Sequence, residues 1–181
     1  MNFMLSAAMV TLMPYFQRTA GLGPDKYGYA MSVFTIGMLL GGVIMSILKI
    51  NNNNRFKIFF VSMIICLVSL SISLVWSYAL ILAFFAIGGF FIVVVNVILG
   101  ALIQLIVDPD MRGKFFAFSS SISAALTPLG MAIGGVLSDS FSIPVVFLVL
   151  NLIVLVIFTT VILLSKETRS IFHVPSEEPS S

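Results

Sequence analysis

Apolar residues in this chain come in long blocks, each closed by a brief polar interruption, and most blocks have the length that crosses a bilayer as a helix. The first runs from about Asn2 to Phe16 and is closed by Gln17, Arg18 and the turn Gly21-Leu22-Gly23-Pro24; it is short for a complete span. The second, Tyr27 to Leu48, stops at Lys49 and a loop of asparagines from Asn51 to Asn54. A third, Phe56 to Val75, returns tightly through Trp76-Ser77-Tyr78, whose two aromatics suit the membrane interface. The fourth, Ala79 to Val107, is longer than a perpendicular helix needs and is expected to tilt or bend near Gly88-Gly89 before Asp108-Pro109 ends it. The fifth extends from about Phe115 to Leu137 with Pro128 inside, and the sixth from Ile143 to Leu164. The pattern predicts an all-α membrane protein, a bundle of six transmembrane helices over residues 1–164, followed by a disordered polar tail over 165–181.

Charge placement supports these boundaries independently, because all 9 Lys and Arg and all 7 Asp and Glu residues fall at or beyond a span end. In an alternating bundle, Lys49, Arg55, Lys57, Arg112, Lys114, Lys166 and Arg169 share one side, and only Arg18 and Lys26 lie on the other. The excess of positive charge in short loops makes the first side cytoplasmic, so a plasma-membrane protein with both termini inside is expected. A cleaved signal peptide is the alternative for the short first block. It lacks a basic leading region, and Arg18-Thr19-Ala20 is a poor cleavage site. The alternative to that is a helix completed by residues upstream of Met1.

Composition adds exclusions. Of 181 residues, 60% are hydrophobic and 9% charged, whereas a soluble domain is about a quarter charged. The only cysteine, Cys66, sits in an apolar block, and the only histidine, His173, in the tail, so neither an intrachain disulfide nor a Cys/His metal site is expected. A net charge of +2, thinly spread, argues against nucleic-acid binding.

An internal repeat points to the architecture. Gly37-Met38-Leu39-Leu40-Gly41-Gly42-Val43-Ile44 in the second span and Gly130-Met131-Ala132-Ile133-Gly134-Gly135-Val136-Leu137 in the fifth are identical at five of eight positions, at an offset of 93. These two spans cross in opposite directions, so the repeat relates spans one to three to spans four to six by inversion, a common construction in transporters. Convergent glycine-rich packing faces are the simpler explanation, since small residues recur wherever membrane helices approach closely.

The local text narrows the family. Gln104-Leu105-Ile106-Val107-Asp108-Pro109-Asp110-Met111-Arg112-Gly113-Lys114, then Phe118-Ser119 to Ser121, Thr127-Pro128-Leu129-Gly130 and Gly134-Gly135-Val136-Leu137-Ser138-Asp139, resembles the tenth-to-eleventh helix region of the drug-efflux branch of the major facilitator superfamily, closest to its macrolide-efflux type. Asn2-Phe3 to Phe16 resembles the seventh helix of that family and Phe147 to Leu164 the twelfth. The resemblance implies a carboxy-terminal half of a twelve-helix exporter, whose partners are a small-molecule substrate, the lipid bilayer and a second six-helix half. Ser46 stands where the family's degenerate gating motif carries an aspartate, so that salt-bridge gate is not expected here.

No Asp, Glu, Lys, Arg or His lies within a span, so any proton-coupling group is expected in the other half, and no cofactor is expected. Asn96, near the middle of the fourth span, and Asn2, on the first, are substrate-cavity candidates by resemblance; a helix-to-helix hydrogen bond is the plainer role. Asn151 on the sixth span is expected to pack. Gln104, Asp108, Arg112 and Gly113 are cytoplasmic-gate candidates, with the Arg112 fork binding helix-terminal carbonyls of the facing half. Gly37, Gly41, Gly42, Gly130, Gly134 and Gly135 are packing candidates, and Pro128 a hinge or static kink. No His-Glu-x-x-His or Gly-x-Ser-x-Gly string supports an enzyme. The function expected is export of amphipathic drug-like molecules by alternating access. Its competitors are a channel, a structural membrane protein, or a truncated, non-transporting remnant.

Overall fold

Lipid offers no hydrogen bonds to a bare backbone, so each apolar block has to satisfy its own amides as a helix. The computed structural model describes residues 2–48, 50–75 and 77–164, and among these it has seven helices and no strand. They are α1 (Asn2–Val10), α2 (Leu12–Arg18), α3 (Pro24–Ile47), α4 (Asn52–Ser73), α5 (Tyr78–Ile106), α6 (Pro109–Ser140) and α7 (Ile143–Leu164). Five of them, α3 to α7, are long and apolar enough to cross a membrane. The expected tail, 165–181, lies outside the described residues.

The first block departs from a single span. It is divided into α1 and α2 by a turn at Thr11. Pro14 explains the break: it has no amide hydrogen to give the carbonyl of Val10, and its ring crowds that carbonyl. Thr11 closes the gap locally, its amide and its hydroxyl both donating to the carbonyl of Ala8 (3.2 and 2.7 Å). Pro128, where the sequence suggests a bend, causes no such interruption, and α6 is assigned as one helix from Pro109 to Ser140.

Two of the long helices begin alike. Gly23 precedes Pro24-Asp25 in α3, and Asp108 precedes Pro109-Asp110 in α6, so each starts with a proline whose missing amide hydrogen is not needed there and an acidic residue facing the positive helix end. As a result α6 starts at Pro109 and not at Phe115, and Arg112 and Gly113 sit in its first turns and not in a loop. At 32 residues α6 is about 48 Å long, well beyond the ~30 Å hydrocarbon thickness.

Packing is non-sequential. The helix α5 lies between α3 and α4, α1 lies against α6 and α7, and α4 meets α7 between these groups, whereas the chain neighbours α3 and α4, or α5 and α6, barely touch. The interior holds Leu12, Phe16, Leu70, Phe85 and Phe147 toward one end and Phe59, Met63, Val95, Ile98 and Leu102 toward the other. Buried hydroxyls are satisfied within their own helices: Ser69, Ser71 and Ser73 of α4 donate to the carbonyls of Cys66, Leu67 and Leu70 (2.9, 2.7 and 2.8 Å).

Glycines set the closest approaches. A Cβ on Gly37 would strike the carbonyl oxygen of Ala86, and one on Gly41 would come within 2.6 Å of that of Phe90, both on α5. On α6, a Cβ on Gly130 would strike the carbonyl oxygen of Phe3, and on Gly134 that of Ala7, both on α1. The partner carbonyls are four residues apart in each case, so two helix pairs, α3 with α5 and α6 with α1, are fitted together by the same device. Gly42 and Gly135 differ from the packing role expected of them. The first has only a Val93 methyl at 3.9 Å and the second has nothing within 4 Å, because both point away from the contact.

Candidate functional site

The end of the bundle holding the α5–α6 junction is shaped by one arginine. The chain leaves α5 through Val107 and enters α6 at Pro109, and the Nε of Arg112 donates to the carbonyl oxygen of Val107 at 3.0 Å. A cation on the last carbonyls of α5 complements that helix's negative end. The arginine therefore binds a helix terminus, as the sequence suggests, but the terminus belongs to its own bundle. Gln104 and Asp108 are exposed, Asp108 makes no side-chain cap, and Gly113 has open space around it. Thus the four gate candidates lie close along the chain, and among the described residues their one side-chain bond is that of Arg112 to the Val107 carbonyl.

Asn96 is exposed on α5, and its amide nitrogen donates to the carbonyl of Ile92 one turn back (2.9 Å). Among the described residues its amide makes no bond to another helix, so the side chain faces outward from this bundle. Asn2 opens α1, and its side chain lies outside the described residues. Asn151 is buried, as a packing role requires. It donates to the carbonyl of Phe147 (2.8 Å) and borders an apolar void of about 20 Å³ beside Leu5, Cys66 and Val154.

Exposure separates the helices sharply. Half of the α4 span and 44% of the α5 span are buried within the chain, against 17% for α3 and 11% for α6. Large apolar side chains stand free on both of these open helices, among them Leu39 and Val43 on α3 and Phe118 and Val136 on α6. The open faces also carry hydroxyls, including Ser32 and Thr35 on α3 and Ser119, Ser120 and Ser121 on α6. Those of Ser32, Thr35 and Ser121 are bonded back to carbonyls of their own helix. The α6 span has a mean hydropathy of 1.4, the lowest of the five, which suits a face that meets something more polar than acyl chains. In the sequence, Ser119 to Ser121 stand out only as three consecutive hydroxyls inside an apolar block.

A second polar cluster was missed because its members are far apart in sequence. At the opposite end, Arg18 pairs with Asp139 (3.1 Å) and reaches the carbonyl of Ser138 (3.4 Å). Nearby, the Lys26 ammonium donates to the carbonyl of Gly21 (2.6 Å) and lies 5.0 Å from the centre of the Tyr78 ring, whose hydroxyl donates to the Lys26 carbonyl. Gly21 permits this turn, with φ +77°. The Tyr15 hydroxyl donates to the carbonyl of Leu74 (2.9 Å). The exits of α2, α4 and α6 and the entries of α3 and α5 are thereby tied at one end.

Comparison with known proteins agrees with this reading at the level of family. No curated protein and no solved structure gives a match. The sequence model of the Major Facilitator Superfamily matches residues 1–180. Together with five apolar helices of bilayer-spanning length, that match establishes a membrane transporter fold: the chain belongs to the major facilitator superfamily.

Proposed function

We propose that this chain is a six-span half of a drug-efflux facilitator, corresponding to a carboxy-terminal half, that exports amphipathic drug-like molecules across the plasma membrane by alternating access with a second six-helix bundle. The observation that carries the reading is the openness of α3 and α6. Both helices offer apolar and hydroxyl-bearing faces that this chain leaves bare, and a second bundle would cover them while leaving a polar-lined path between the two.

Counting the broken α1–α2 segment as one span gives six, in an inverted arrangement of three plus three. The paired glycine contacts support it: α3 on α5 and α6 on α1 are the pairs that exchange when the two repeats are interchanged. In this reading Asn96 faces the substrate path, Arg112 stiffens the cytoplasmic end, and both termini lie in the cytoplasm with the basic loops. A proton-antiport step would use a titrating group on the other bundle, since the charged residues here sit at helix ends.

The test is accumulation of a macrolide and of a cationic dye in cells stripped of their own exporters, with the chain expressed alone and joined to a candidate amino-terminal half. Lower accumulation in the joined form, abolished by dissipating the proton gradient, is the expected result. Asn96→Leu should cut export at least about fivefold, the loss of ~1 kcal/mol of substrate hydrogen bonding, with an unchanged melting midpoint. Equal accumulation with and without the joined protein, across both probes, would sink the export reading.

A further inference from the structure

We propose that a pocket beside Arg55 binds the phosphate of an anionic membrane lipid. Arg55 lies in the first turn of α4, where the chain has just left α3. Its side chain is half-buried, and its Nη1 atom is shut off from solvent with no hydrogen-bond partner. The arginine lines a cavity of about 170 Å³ whose other walls include Met45, Leu48, Val97, Ala101 and Leu102. None of these carries a charge or a side-chain oxygen or nitrogen acceptor.

A guanidinium nitrogen held out of water and unbonded is costly, and an anion is the ligand that removes the cost. Among the described residues the one ion pair is Arg18 with Asp139 at the other end of the bundle, so no carboxylate among them fills the role. The arginine fork matches the oxygens of a phosphate, and the positive end of α4 adds a favourable field. The walls decide between a lipid and a free anion. A hydrated ion gains nothing from Met45, Val97 and Leu102, whereas an acyl chain beneath a phosphate lies against them. Leu48 and Val97, 56% and 41% exposed, leave an apolar rim continuous with the membrane-facing surface, and Arg55 stands at the helix end, the depth of lipid headgroups. Lys57, exposed two residues on, adds charge without entering the cavity.

The proposal rests on membrane placement and not on drug export, so failure of the transport assay leaves it standing. The test uses the full chain, stripped of lipid in a neutral detergent, with native mass spectrometry and the melting midpoint as readouts. Phosphatidylglycerol should remain bound and raise the midpoint, while phosphatidylcholine and inorganic phosphate at equal concentration should do neither. Arg55→Gln should weaken phosphatidylglycerol binding about tenfold, and Lys57→Gln by less than about twofold. Equal binding of the two lipids overturns the proposal, as does an equal loss in the two variants. Saturation by inorganic phosphate replaces the lipid with a soluble anion and overturns it too. The headgroup comparison is made on the unaltered chain, so it decides the matter even where Arg55→Gln does not fold.

Discussion

Glycine positions that look equivalent in sequence are not equivalent in space. In lipid no hydrophobic force draws helices together, and close backbone contact supplies much of the attraction, so a single methyl at a contact is felt directly. Gly37→Ala and Gly134→Ala, whose new Cβ would clash with a neighbouring carbonyl oxygen, should each destabilise the bundle by about 1–3 kcal/mol. Gly135→Ala, with nothing within 4 Å, and Gly42→Ala, with ordinary contact to Val93, should be neutral or gain up to ~1 kcal/mol from helix propensity. Melting midpoints of the four variants in one detergent check this; a Gly135→Ala loss as large as that of Gly134→Ala would show that the contact assignment is wrong. The difference was illegible beforehand because Gly41-Gly42 and Gly134-Gly135 are adjacent pairs, and only the partner's position says which member of each is covered.

At the scale of elements, the broken first span and its neighbour are joined at their ends. Arg18 at the end of α2 and Asp139 near the end of α6 form an ion pair whose side chains are 59% and 73% exposed. An exposed pair of this kind contributes modestly, so a double-mutant cycle with Arg18→Gln and Asp139→Asn should give a coupling below about 1 kcal/mol, shrinking as salt is added. A coupling well above that would mean the pair is shielded by a partner. The proline at 14 was legible as a residue, yet the break at Thr11 was not anticipated, while Pro128 drew attention and α6 runs through it. Proline is tolerated inside membrane helices, where it frees a single carbonyl, here that of Ala124, and α6 continues through it.

For the whole molecule, the bare faces of α3 and α6 make a geometric prediction about the second bundle. With Cys66→Ser as background, Val136→Cys on α6 should form an oxidation-dependent crosslink to a cysteine on the facing bundle, or to a second copy of this chain. Val156→Cys on α7, of similar exposure, should stay monomeric. The band shift on a non-reducing gel reads the outcome. Crosslinking from α7 and not from α6 would place the second bundle on the other side and remove the main support for the half-transporter reading.

Membrane chemistry lets the sequence determine where the helices are. A block of twenty apolar residues has to bond its own amides, and charges have to stay near the ends, so the long blocks and the glycine repeat were readable in advance, though not that α6 begins at Pro109. The family was readable too, from the text around the α5–α6 junction. Tertiary structure alone decided which helices pair, which glycines touch, that Arg112 closes on Val107, and that Arg55 borders an apolar pocket. The reason is that helices apolar on nearly every face carry no amphipathic stripe to say which side meets a neighbour. Only the close fit of one backbone on another chooses it.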